Sequence, residues 1–85
     1  MKLFVTLYIL GHVAHTTPLE SQINPLTGNR WTPQECAEIA GDTQDLAREL
    51  VGKAPELTTY RGQRISRGDV FVLCDYAETA PKVEP

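Results

Sequence analysis

The clearest structural signal in the chain is the stretch WTPQECAEIAGDTQDLARELVGKAP, which spans residues 31–55. Its start is typical of a capped helix. Thr32 offers an N-cap hydroxyl, Pro33 suits the first helical position, and Glu35 stands at the third position of a capping box. These local features predict one α-helix over residues 33–51.

Apolar residues recur in this stretch at spacings of three and four, which predicts one buried stripe along the helix. The stripe consists of Cys36, Ile39, Ala40, Thr43, Leu46, Ala47, Leu50 and Val51. Trp31 precedes the cap and is expected to pack on Cys36 as a hydrophobic staple. Gly52 and then Pro55 predict the end of the helix. Such a helix covers one face of a sheet.

Three further segments, 3–10, 56–61 and 69–76, have the composition of β-strands. The short links between the helix and the last two segments make successive elements antiparallel. The most apolar strands belong in the centre, so we expect the order first, third, second, with 69–76 in the middle. The sequence thus predicts an α+β fold, a small β-α-β-β domain with a three-stranded, mainly antiparallel sheet and one helix on one face.

The first segment has a second interpretation. Lys2 followed by the apolar run 3–10 resembles a short secretory signal in charge and hydrophobicity. Cleavage after Ala14 would place His12 at the −3 position, where a small residue is usual. We therefore expect a strand here and keep the signal segment as an alternative.

The length of 85 residues, with 41% hydrophobic and 22% charged residues, is typical of one small globular domain. We assign this domain to residues 1–76 and expect the tail, 77–85, to be disordered. Residues 16–31 contain two prolines and a glycine and follow neither strand nor helix periodicity, which predicts a long loop. Loops of this length are usually functional or disordered, although a simple connection remains the alternative.

The two cysteines are expected to be free thiols. In the predicted topology Cys36 lies at the start of the helix, whereas Cys74 lies beside its end. The helix rises about 28 Å, far beyond the roughly 7 Å across which two α-carbons can be bridged. Free thiols favour a reducing, cytoplasmic location. A disulfide stays open as an alternative, because the long loop leaves the tilt of the helix undetermined.

Charge and motif content argue against several functional classes. The net charge of −3 is unfavourable for nucleic-acid binding, and the longest apolar run is shorter than the roughly 18 residues of a membrane span. The spacing of cysteines and histidines does not fit a zinc site. No catalytic constellation or phosphate-binding loop is recognisable, so we expect no enzyme, metal or cofactor. The tripeptide Arg67-Gly68-Asp69 is interpreted as a turn.

The most informative charged pattern is a row of four carboxylates, Glu38, Asp42, Asp45 and Glu49, which we call the acidic row. Their 4-3-4 spacing places them within about 60° of one helical face. Like charges at i, i+4 cost a few tenths of a kcal/mol each, so folding alone does not require them. The row is either a solvated face or a surface that meets a basic partner. Arg30 and Trp31, at the end of the long loop, complete the candidate contact surface.

The sequence therefore predicts a non-enzymatic protein-binding module whose partner presents a basic surface. Its small size and acidity are typical of phage or mobile-element inhibitors of host machines, such as defence or nucleic-acid-handling complexes. One alternative is a structural component of a virion-like assembly, which would pack or form homo-oligomers through the uncovered sheet face around Phe71 and Leu73. Another is a small secreted domain stabilised by a disulfide.

Overall fold

The computed structural model of the chain describes residues 2–19 and 23–84. Within these residues it has a three-stranded antiparallel sheet, a small two-stranded sheet and one α-helix that packs on the larger sheet. In chain order the elements are β1 (Lys2–Ile9), β2 (His12–Pro18), α1 (Pro33–Leu50), β3 (Thr59–Tyr60), β4 (Gln63–Arg64) and β5 (Val70–Ala77). The predicted α+β class, with one helix on a three-stranded antiparallel sheet, is confirmed.

The helix begins as its sequence predicts. The Glu35 N–H donates to the Thr32 hydroxyl (3.2 Å), and the Thr32 N–H donates to the Glu35 carboxylate (2.9 Å). Both bonds of the capping box are thus present. The helix ends at Leu50, one residue before the predicted boundary, and Gly52 takes the positive φ of 81° that often follows a helix.

Replacing Thr32 by alanine should lower the free energy of unfolding by about 1 kcal/mol, because it removes the acceptor for an orphan amide of the first turn. Urea denaturation followed by circular dichroism measures the change. Thr43→Ala is a matched control at an exposed position inside the helix, where alanine is the better helix former and stability should not fall. Equal midpoints for Thr32→Ala and the parent would show that the cap contributes nothing.

β1 lies in the centre of the sheet, between β2 and β5. It pairs with β5 as expected for the first and last predicted strands, with Val5 opposite Cys74. The expected strand over residues 3–10 is confirmed for Lys2–Ile9. The third strand, however, is His12–Pro18 and not the 56–61 segment, which places β1 rather than 69–76 in the centre. The expected first, third, second order is corrected accordingly.

β2 was not predicted because its composition is weakly apolar. It follows a two-residue turn in which Leu10 and Gly11 both have positive φ, 53° and 80°. Two such residues form the turn type that matches the twist of a β-hairpin. An edge strand has only one paired neighbour and tolerates polar side chains, so its hydrophobic signal is small. The predicted loop of residues 16–31 therefore begins inside a strand.

The 56–61 segment does not join the main sheet. Pro55–Leu57 forms a short 3₁₀ turn, and Thr59–Tyr60 pairs only with Gln63–Arg64. The tight turn between these strands is again made by two residues of positive φ, Arg61 and Gly62. Leu57 and Tyr60 pack against a buried cluster of Ile9, Ile65 and Val70. The segment thus covers one end of the core and is not a strand of the main three-stranded sheet.

The buried stripe of the helix is rotated from its predicted position. Leu46 and Leu50 are 58% and 39% exposed, whereas Cys36 and Ala40 are buried. Polar residues take the place of the leucines. Gln44 accepts a hydrogen bond from the Val72 N–H (3.0 Å), and Arg48 donates to the Val70 carbonyl (2.9 Å). The helix therefore lies over β5 and turns these two polar side chains toward the backbone of that strand.

The expectation of free thiols was wrong, because Cys36 and Cys74 form a disulfide with a Cα–Cα distance of 5.7 Å. The error follows from the missing sheet strand. With 56–61 outside the sheet, β5 runs antiparallel to the helix instead of parallel to it. Arg48, near the helix end, meets Val70 at the start of β5, and Cys36 in the first turn meets Cys74. The bridge joins the start of α1 directly to the sheet.

The face opposite the helix is partly covered. Cys74 faces the helix, so Leu73, which is 49% exposed, points to the other side. Phe4 lies on that side as well, yet it is only 4% exposed. Residues 78–84 leave β5 and return to β2, where the Glu84 N–H donates to the Val13 carbonyl (3.1 Å). The segment therefore connects the two outer strands of the sheet. The predicted disorder of residues 77–85 stays a prediction.

A hydrogen bond between a tyrosine and a carboxylate lies on the same face of the sheet. The Tyr8 hydroxyl donates to the Asp75 carboxylate at 2.9 Å. Burial raises the pKa of Tyr8, and its bond to the negative Asp75 raises the pKa further. Both effects keep the phenol protonated, so the hydroxyl serves as a donor that joins β1 to β5.

Candidate functional site

The described part of the long loop, residues 23–31, is held in place by Asn24. This residue is 3% exposed, and its backbone N–H donates to the Asn29 carbonyl at 2.8 Å. Its side-chain oxygen accepts from the Leu26 N–H (2.9 Å), and its side-chain amide donates to the Glu35 carboxylate (3.2 Å). Glu35 therefore serves both the helix cap and the loop. Residues 20–22 of the predicted loop lie outside the described residues.

Leu26 lies at the tip of this loop and is 91% exposed. The backbone around it is a tight turn, in which the N–H groups of Thr27 and Gly28 both donate to the Asn24 carbonyl (3.2 and 2.8 Å). Gly28 has the positive φ of 74° that the turn requires. A large apolar side chain on an anchored turn loses little backbone entropy when it is buried by a partner. The tip is thus a preorganised apolar contact.

The four residues of the acidic row are all exposed, as predicted from the helical spacing. The structure divides them into two pairs. Glu38 and Asp42 line a groove of about 360 Å³ between the loop and the helix, which we call the loop groove. Its lining residues are Asn24, Leu26, Thr27, Trp31, Glu35, Glu38, Ile39 and Asp42. The loop and the first half of the acidic row, which were considered separately in the sequence, therefore form one surface.

The second pair of the acidic row has different neighbours. Asp45 and Glu49 line a polar groove together with Arg48, Arg67 and Gly68. Two arginines therefore lie beside this pair of carboxylates.

Trp31 and Arg30 have distinct roles. Trp31 is partly buried and packs against the cluster of Leu3, Leu19 and Cys36, which agrees with the predicted staple. Its indole N–H is buried and has no hydrogen-bond partner among the described residues. Arg30 is exposed and pairs through its backbone with Ile23 across the base of the loop. Trp31 thus contributes the inner wall of the loop groove. The backbone of Arg30 joins the two ends of the loop at its base.

The Arg67-Gly68-Asp69 tripeptide forms a turn, as predicted from the sequence. The Asp69 carboxylate accepts from the Ser66 N–H (2.8 Å) and from the Ser66 hydroxyl (3.0 Å). The Asp69 carbonyl also accepts from the Leu10 N–H (3.0 Å). The aspartate is therefore occupied within the fold and fixes the start of β5.

A second, apolar cleft was missed by the sequence analysis. It has a volume of about 570 Å³ and lies between the sheet, the end of the helix and the segment that follows it. Its lining residues are Leu7, Ile9, Ala14, His15, Leu50, Ala54, Glu56, Leu57 and Tyr60. The cleft lies on the β2 side of α1, which packs mainly on β5. Only a prediction of β2 would have revealed it.

Across residues 2–19 and 23–84, no group of three or more histidine, cysteine or acidic side chains is arranged to hold a metal ion. Over the same residues, no helix has the length and apolar character needed to cross a membrane. Comparison of the chain with protein-family models, curated proteins and solved structures found no match.

Proposed function

We propose that this chain is a non-enzymatic protein-binding module and that its contact surface is the loop groove with the adjoining acidic row. The observation that carries the proposal is Leu26, which is 91% exposed at the tip of a loop anchored to the helix cap through Asn24 and Glu35. An apolar side chain held on a hydrogen-bonded turn loses little backbone entropy when a partner buries it, which favours a contact at this position.

The chemistry of the groove describes the partner. Its apolar wall is formed by Leu26, Trp31 and Ile39, and its acidic rim by Glu38 and Asp42. A complementary surface presents an apolar side chain surrounded by lysine or arginine residues. Proteins that hold a nucleic-acid backbone have such basic surfaces. Inhibition of a nucleic-acid-handling protein by occupation of that surface is the finer form of this proposal.

Reversing two charges of the acidic row tests the proposal. Asp42→Lys/Asp45→Lys should leave the fold intact, because the new lysines form i, i+4 pairs with Glu38 and Glu49. Capture of the partner by the purified protein should fall at least about tenfold, and binding by the parent should weaken with salt over a screening length of about 8–10 Å. Quantitative pull-down at several salt concentrations measures both effects.

The matched single substitutions are Asp42→Lys and Glu78→Lys, because both residues are exposed and both variants change the net charge equally. Only Asp42→Lys should weaken capture. Equal capture by the two variants and the parent would assign the acidic row to the solvated surface and remove it from the interface.

We also propose that the protein works in a secreted or otherwise oxidising location, because it contains a disulfide. Disulfides persist in such compartments and are rare in the reducing cytosol, which revises the expected cytoplasmic location. Cys36 is fully buried, and the bridge lies in the core beside Leu3 and Leu19. Thiol titration of the denatured protein, isolated from its natural source without reductant, should detect no free thiol. Detection of two thiols would restore the cytoplasmic interpretation.

A further inference from the structure

The apolar cleft beside the helix continues into an exposed apolar ridge on the helix itself. Leu50 lines the cleft and is 39% exposed. Leu46, one turn earlier, is 58% exposed, and Ile39, two turns before Leu46, lines the loop groove. Their spacing of seven and four residues places them on one side of the helix. We call Ile39, Leu46 and Leu50 the apolar ridge. It connects the loop groove to the cleft.

The acidic row accompanies this ridge along its length. Each ridge residue directly follows an acidic residue, since Glu38, Asp45 and Glu49 precede Ile39, Leu46 and Leu50. Adjacent helical residues differ by about 100° in direction. The carboxylates therefore flank the ridge on the solvent side, while the sheet floor of the cleft lies on its other side. An apolar seam bordered by one row of like charges is the geometry of an amphipathic helix interface.

We propose that the cleft and the apolar ridge form the docking site for an amphipathic, basic α-helix of the partner protein. This inference rests on the proposed function and extends it to the kind of partner segment that is bound. The apolar stripe of the partner helix lies against Leu50, Leu57 and the sheet floor. Its lysine or arginine residues lie toward the acidic row. Helices that bind in apolar grooves use anchors at spacings of three, four and seven residues, which match those of the ridge.

Charge decides which occupant fits. The lining of the cleft contains one carboxylate, Glu56, and no lysine or arginine among its described residues. The other titratable groups of the lining are His15 and Tyr60, and the Arg61 guanidinium lies 5.4 Å from the centroid of the Tyr60 ring. A second copy of this chain would bring another acidic row close to the first, which like-charge repulsion disfavours. A basic helix gains attraction from the same carboxylates.

The length of the seam fixes the size of the partner segment. Eleven residues separate Ile39 from Leu50, a rise of about 16 Å or three helical turns. Helices pack with their axes about 8–10 Å apart, and Ala14 and His15 of β2 form part of the cleft beside the end of α1. The docked helix thus occupies the place that a second helix on this sheet would take, and it completes the cover of that face.

A synthetic peptide tests the inference directly. It has about 18 residues, with leucines at i, i+4, i+7 and i+11 and lysines on one flank. Two control peptides are a scrambled sequence of equal composition and a version with glutamates in place of the lysines. Calorimetry with the oxidised full-length chain should detect binding of the first peptide only. Amide shifts in NMR spectra should appear in β2 and in residues 54–60.

Two matched variants locate the site. Leu50→Ser should weaken peptide binding about tenfold or more, because an apolar anchor is lost. Leu73→Ser, on the opposite face of the sheet at 49% exposure, should leave binding within about twofold of the parent. Circular dichroism establishes that both variants remain folded. Equal binding by Leu50→Ser and the parent, or equal binding of the scrambled peptide, would overturn the inference.

The outcomes also separate this inference from the proposed function. Loss of binding in Asp42→Lys/Asp45→Lys together with parental binding in Leu50→Ser would support the loop groove and eliminate the cleft. If both variants bound as well as the parent, neither the loop groove nor the cleft would be the binding site. Self-association of the chain that disappears in Leu50→Ser would identify a second copy as the occupant and exclude the basic helix.

Discussion

Removal of the disulfide, by Cys36→Ala/Cys74→Ala, should lower the free energy of unfolding by about 4 kcal/mol. The bridge spans a sequence separation of 38 residues, and the loss of chain entropy on closing a loop of that size corresponds to about this value. A domain of this length has a total stability of roughly 4–13 kcal/mol. The double variant is therefore expected to lose between about a third and all of the stability of the parent.

Urea denaturation of the oxidised parent and the double variant measures this difference. The parent treated with reductant is the control, because it keeps both side chains and lacks only the bond. Its midpoint should move close to that of the double variant. If reduction left the midpoint of the parent unchanged, the cross-link would contribute nothing, and the stability would have to come from packing alone.

Ile9→Ala should lower the free energy of unfolding by about 2–5 kcal/mol. Ile9 is 3% exposed, lies in the central strand and packs with Ile65 and Val70. Truncation of such a side chain loses its transfer free energy and leaves a cavity that the surrounding structure fills only in part. The same denaturation experiment measures the effect, and near-ultraviolet circular dichroism reports whether the core stays ordered.

Leu46→Ala is the matched comparison, since it removes the same number of carbon atoms from a side chain that is 58% exposed. It should change the free energy of unfolding by less than about 1 kcal/mol. The sequence pattern alone assigns Leu46 to the buried stripe and predicts a large loss there. A large effect of Leu46→Ala with a small effect of Ile9→Ala would restore that original assignment.

The parts of the fold that depend on neighbouring residues could be predicted from the sequence. Thr32 and Glu35 form their cap, and Gly52 ends the helix, because each acts within a few residues of the chain. The exposure of the acidic row follows from helical geometry in the same way. The pairing of the first and last strands was also recognisable, since both are apolar on alternating positions.

The remaining errors have one physical source. A strand of the main sheet is too weakly apolar to be recognised from its sequence. Missing His12–Pro18 led to the wrong third strand, and this reversed the expected direction of β5 relative to the helix. The disulfide and the cleft both depend on that direction and on that strand. The inward turn of Gln44 and Arg48 depends on unpaired backbone groups of β5, which no helical periodicity reveals.

The anchoring of the loop was missed for a different reason. Asn24 donates a hydrogen bond to Glu35, which lies 11 positions later in the sequence. Capping rules consider only the residues next to a helix. A local signal was nevertheless present. Asn24 followed by Pro25, with a glycine at position 28, is typical of a turn whose first side chain bonds to the backbone two residues later. Such a turn was recognisable inside the predicted loop.

The bonds from the helix to β5 also bear on how this protein avoids forming fibrils. A strand at the border of a sheet presents free amide and carbonyl groups that can template another chain. In β5 the outward groups of Val70 and Val72 are occupied by Arg48 and Gln44, and at the other border Pro18 has no amide to offer while Val13 is bonded to Glu84. Part of each border is therefore blocked against pairing with another chain. A variant that loosens the helix would unmask β5, and amyloid-type aggregation, rather than simple loss of binding, is the consequence to expect.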